Sequence, residues 1–143
     1  MIGGMLSLLE GAAAFADAAE AVEEKKKKII EVACGIVEQR AKSIIGVPHP
    51  YWPPLSAETL KRKDGVNTPL LETGELRDSI EHTVESEERG HVGSNNDKAV
   101  WHELGTSRIP ARPFLLPAAL ESVPLIEAIT GETVVVTIKS ALR

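Results

Sequence analysis

Aromatic residues are nearly absent from this 143-residue chain: Phe15, Tyr51, Trp52, Trp101 and Phe114 make up only 3% of it. Five scattered rings do not build a base-stacking platform, so burial of apolar area falls to aliphatic side chains. Cysteine occurs once, at Cys34. That excludes an internal disulfide framework and a cysteine-based zinc cluster, and it fits synthesis in a reducing compartment. No stretch approaches the roughly 20 apolar residues of a membrane span. The apolar opening MIGGMLSLLEGAAAFADAAE has no basic leader, and Glu10 and Asp17 interrupt it, so it does not read as a signal peptide. A soluble chain with no membrane partner is expected.

What is present is ordinary for a globular protein: 43% hydrophobic and 26% charged residues, at a length that suits one domain, 1–143. The net charge of −5 is unevenly spread. Residues 1–24 hold five acids and no base, 25–63 hold nine bases and three acids, and 64–143 hold seven bases and thirteen acids. Such blocks serve either as solvated helix faces or as surfaces that meet oppositely charged copies or neighbours.

A long helix is predicted from about Ala12 to Ile45. It lacks proline, has Gly35 as its sole interior glycine, and is rich in Ala, Glu and Lys. Phe15, Ala19, Val22, Ile29, Ala33, Ile36 and Ile44 recur at three- and four-residue steps and make an apolar stripe. Lys26 and Arg40 fall in it, so it is no uninterrupted coiled-coil seam. Gly46 and Pro48 stop the helix. At about 1.5 Å per residue it reaches roughly 50 Å, with one end free to project toward a partner.

Four prolines among VPHPYWPP make residues 47–54 an extended, exposed connector. Ser56 caps a short basic helix, Ala57–Lys63, and Thr73 caps a helix of a turn or two with Leu76 and Ile80 turned inward. Ile80–Ser86 and Gly90–Ser94 form an antiparallel hairpin, and Asp97 caps a helix over Lys98–Leu104 closed by Gly105. Helices follow over Phe114–Ser122 and after Pro124. In the tail GETVVVTIKSALR, Val134–Val136 favour strand, while Val135, Ile138 and Leu142 also fit a helical face, and the balance leans to helix. The fold class is α+β: a long N-terminal helix, a small antiparallel sheet with short helices, and C-terminal helices.

No catalytic constellation emerges. His102–Glu103 lacks the second histidine of a zinc-protease helix, because position 106 is Thr. His49, His82 and His91 have no metal-site spacing with it, and Cys34 sits mid-helix where an inert thiol is the commoner case. Glu81, Glu85, Glu87 and Glu88 cluster on the hairpin, which a polar tip facing water explains. No catalytic, cofactor-binding or metal-binding residue is assigned. Lys61–Arg62–Lys63 is weak grounds for phosphate contact in a chain of net −5.

Two segments are less ordinary. LLETGELRDSI (70–80) packs a threonine, a glycine and an apolar triad into a short compass. AVWHELGTSRIPARPFLLPAAL (99–120) joins an amphipathic helix to a link that Pro110 and Pro113 hold extended. Arg108 and Arg112 are then presented on a preformed stretch, and with Trp101 and Phe114 they match the residue types of interface anchors. The competing reading places Phe114 and Leu115 in the core.

At these residues the sequence resembles the head–tail joining, or tail-completion, proteins of long-tailed bacteriophages. The first element of likeness is Thr73-Gly74-Glu75-Leu76-Arg77-Asp78-Ser79-Ile80. The second is Val92-Gly93, then Ala99, then Glu103-Leu104-Gly105-Thr106. The third runs from Pro110 to Ala118 through Pro113. The stretch Trp52-Pro-Pro-Leu-Ser with Thr59-Leu-Lys-Arg-Lys resembles virion-morphogenesis proteins of contractile-tailed phages. The motif-bearing core covers 70–120. The alanine-rich start and Val134–Val136 depart from the pattern.

The resemblance implies a non-enzymatic structural protein of the virion neck or tail, assembled in the host cytoplasm. It would form a ring, usually of six copies, between the head connector and the tail tube. Partners would be further copies of itself together with portal, adaptor or stopper, tail-terminator and tail-tube proteins. DNA would pass through an acidic bore without specific binding. A terminator capping the tail tube is the alternative role. A nucleic-acid-binding module on residues 25–63 is a second class, and an enzyme built on the glutamate-rich hairpin and His102 a third.

Overall fold

A computed structural model of the chain describes residues 2–132 and 134–136, with side chains from Val22 onward. Its elements in order are α1 (Ile2–Ile44), α2 (Ala57–Arg62), α3 (Glu75–Ser79), β1 (Ile80–Val84), β2 (Gly90–Ser94), α4 (Asp97–Leu104) and α5 (Leu115–Thr130). This is an α+β fold, as expected.

α1 runs 43 residues, about 65 Å. It begins ten residues before the expected start, since the strong helix formers around Gly3, Gly4 and Gly11 carry it through them. Val22–Lys28 are all exposed, while Cys34, Ala41, Ile44 and Ile45 are buried. The helix therefore gives its C-terminal half to the core. Ala41, Ile44 and Ile45 meet Trp52, Leu76, Ile80, Ala99, Phe114 and Ala118 there, with Leu70, Leu71, Val92 and Leu115 packed around them. Arg40, at the edge of the apolar stripe, reaches across to Glu121 on α5 at 2.6 Å.

β1 and β2 pair antiparallel, Ile80 opposite Ser94 and Val84 opposite Gly90. Period-two alternation turns Ile80, His82 and Val84 toward α1 and leaves Glu81, Thr83 and Glu85 exposed. Gly90 makes the close approach possible: a Cβ there would collide with Cys34 Sγ and lie 2.8 Å from Ile30 Cγ2.

Three expected boundaries shift. Ser56 caps α2 as predicted, its hydroxyl accepting from Thr59 N–H at 3.1 Å. The N-cap of α3, however, is Gly74 at φ +83° rather than Thr73, and Asn96 rather than Asp97 caps α4. The side chain of Asn96 accepts from Lys98 N–H at 3.0 Å. The two helices expected on either side of Pro124 are one helix, α5. Ala118, Ser122 and Ile126 are buried on both sides of the exposed proline, and this continuous packing holds the helix through the missing backbone bond. Gly131 at φ +71° ends it. Residues 134–136 are neither helix nor strand, and the rest of the expected tail helix lies outside the described residues.

Candidate functional site

The motif-bearing segment closes on itself at Gly105. Its φ of +75° and its approach to Ala111, where an added Cβ would lie 2.9 Å from the amide nitrogen, admit glycine and little else. Beyond it Thr106 makes a tight turn: its N–H donates to Ile109 O at 2.8 Å, and its hydroxyl accepts from Ile109 N–H at 3.0 Å. The chain then runs back along α4, with Arg112 N–H donating to His102 O at 2.7 Å.

α5 begins at Phe114, a cap position whose side chain cannot accept a hydrogen bond. Glu103 supplies the missing acceptors from α4. Its carboxylate takes the N–H of Phe114 at 2.8 Å, of Leu115 at 3.0 Å and of Leu116 at 2.9 Å. One anion thus meets three of the amide donors left free at a helix start, where the helix dipole also favours negative charge.

The proline connector is fastened to the same place. Trp52 Nε1 donates to Pro113 O at 2.8 Å, and the Arg112 guanidinium donates to Pro53 O at 3.0 Å and Pro54 O at 3.1 Å. Burial lowers the pKa of Arg112 from its ordinary value. Burial, followed by repulsion from Arg112 and Lys98, also lowers that of His102. The His102 Nδ1 atom has no hydrogen-bond partner among the described residues. Together α4, the link and the connector form a clasp around Phe114.

The clasp corrects part of the expected interface. Phe114 is fully buried and Arg112 is 8% exposed, so neither is presented to a partner in this conformation. Trp101 is 44% exposed and Arg108 is exposed. The motif residues converge: Leu76 sits in the core cluster with Phe114, and Glu103, Gly105, Thr106 and Pro113 all belong to the clasp. Thr73 and Gly74 lie at the head of α3, with the Thr73 hydroxyl accepting from Glu75 N–H at 3.4 Å. Trp52, expected on an exposed connector, is instead buried in the core, and the capping role of Glu103 escaped the sequence reading. An uncapped helix start at Phe114, with a glutamate eleven residues upstream, was the available signal.

A second polar cluster joins the hairpin to α1. His82 Nε2 lies 2.8 Å from Glu31 Oε1, and its Nδ1 lies 3.4 Å from Glu38 Oε1. The bond to Glu31 raises the histidine pKa against the opposing effect of burial, with Glu38 adding to the rise. Beneath it, burial and then Glu31 raise the Cys34 pKa, which suits an inert thiol. Among the described residues no group of histidine, cysteine and carboxylate side chains could hold a metal ion. Nor is any described helix long and apolar enough to cross a membrane. Comparison with family models, curated proteins and solved structures finds no match.

Proposed function

We propose that the chain is a structural protein of a phage neck or tail, joining the head connector to the tail tube or completing the tail as a ring of copies, with six the expected number. The supporting observation is convergence. The elements that carry the resemblance are separated by tens of residues, yet Leu76 and Ile80 share one core with Ala99, Phe114 and Ala118. Glu103 and Arg112 then lock that core's edge. A rigid protomer of this kind suits assembly, because surfaces held in place before contact lose less entropy on association. Heterologous contacts between such protomers give a ring where the rotation from copy to copy closes.

The test is genetic. Interrupting the reading frame in the phage that encodes it should yield full heads and separate tails, and expression of the chain in trans should restore joined particles. Normal yields of infectious particles from the interrupted phage would refute the proposal.

A nucleic-acid-binding module is the second reading, favoured by the exposure of Lys25–Lys28. Against it, Lys27 is set beside Glu23, Arg40 beside Glu121 and Arg62 beside Glu72. Binding of duplex DNA at micromolar concentration that weakens steeply with salt would favour this reading over the first.

A further inference from the structure

α4 has two unlike sides. Ala99 is buried, and Glu103 reaches inward to the start of α5. At 100° per residue, Asp97, Val100, Trp101 and Leu104 share the opposite side within about a quarter of the circumference, and all four are exposed. Val100 is 41%, Trp101 44% and Leu104 53% exposed, an apolar strip on a helix of eight residues. Grouped apolar residues of this kind, with a tryptophan among them, mark association surfaces rather than ordinary surface scatter.

The ends of the strip carry opposite charges. Asp97 stands at the N-terminal end. Arg108 stands beyond the C-terminal end, in the tight turn that Thr106 fixes. Neither side chain has a hydrogen-bond or ion-pair partner among the described residues. The nearest competing cation on the helix, Lys98, points to another flank and is set against Glu75 at 3.7 Å. The order along the chain is therefore acid, apolar strip, base, with all of these side chains exposed.

A face with that order is complementary to itself when turned end for end. We propose that α4 pairs antiparallel with α4 of a second copy about a two-fold axis, Trp101 packing against the partner's strip and Asp97 facing the partner's Arg108. The contact is isologous, so it uses one patch on both copies and does not itself close a ring. It stands whether or not the chain belongs to a phage neck. A parallel arrangement would bring like charges together at both ends and bury no better strip.

Sedimentation equilibrium of the full chain at low salt over a concentration series tests this. A monomer–dimer equilibrium is expected, weakened by added salt. Trp101→Glu should leave a monomer. Asp97→Arg and Arg108→Asp should each weaken dimerisation by about tenfold. The double variant Asp97→Arg/Arg108→Asp should restore it to within about threefold of the native chain, because the reversed pair again sets opposite charges against each other, and association that stops at the dimer marks the contact as two-fold. All three substituted positions are exposed, and circular dichroism checks that each variant is folded. Tryptophan emission adds an independent readout. Trp52 is buried throughout, so a blue shift on dimerisation reports Trp101. A native chain that stays monomeric at every soluble concentration would overturn the proposal. So would single reversals without effect, a double variant no better than the singles, or a larger assembly indifferent to all four variants.

Discussion

The inner and outer sides of α4, each extended by residues of the link that follows it, treat their bonding groups in opposite ways. Inside, Glu103 meets three amides, Arg112 holds two proline carbonyls and Phe114 has no exposed surface. Outside, Trp101, Val100 and Leu104 face solvent, and the side chains of Asp97 and Arg108 have no hydrogen-bond or ion-pair partner among the described residues. Substitutions inside should cost the fold, and substitutions outside should leave the fold and change association. The two sides separate stability from assembly within one short helix.

The largest effect should come from the inside. Phe114→Ala empties the centre of the clasp and should cost about 3–5 kcal/mol, read as a fall in the midpoint of urea unfolding. Glu103→Ala should come next, at about 3 kcal/mol, because it strips a charged acceptor from three amides at once. Glu103→Gln, which keeps carbonyl oxygen at the site, should lose clearly less. Equal losses from the two variants would show that the retained carbonyl oxygen contributes nothing and that the three-amide geometry does not account for the stabilisation.

A smaller effect belongs to His82 and depends on pH. Its folded pKa lies above the unfolded value of about 6.5, so protonated His82 stabilises the fold. That contribution is fully present below about 6.5 and is lost as pH rises through the folded pKa. His82→Gln should therefore be less stable than the native chain in mildly acidic solution, and the difference should shrink as pH rises. A difference independent of pH would assign His82 to packing alone. The smallest stability change should come from outside the clasp: Trp101→Glu should shift unfolding by no more than about 0.5 kcal/mol. A loss as large as that of Glu103→Ala would erase the distinction between the two faces.

Local patterns made most of the elements legible. The cap at Ser56 and the stop at Gly46–Pro48 are decided by near neighbours and stand where the sequence puts them, as does the start of β1 at Ile80, although the strand ends at Val84 rather than Ser86. The misjudged features depend on distant partners. The link through Pro110 and Pro113 reads as stiff, but the direction of Arg112 is set by carbonyls 58 and 59 residues away. Glu103 reads as part of a motif, while its task follows from where α5 begins. Pro124 reads as a breaker, and packing on both sides of it carries the helix through. Of the four expected interface residues, Trp101 and Arg108 are exposed, and their side chains have no hydrogen-bond or ion-pair partner among the described residues.

The role in the particle is tested most directly by immunogold electron microscopy of purified phage particles with antibody against this chain. A structural neck or tail-completion protein predicts label at the junction of head and tail, or at the end of tails not yet joined. Particles that carry no label, from a phage that expresses the chain, would contradict it.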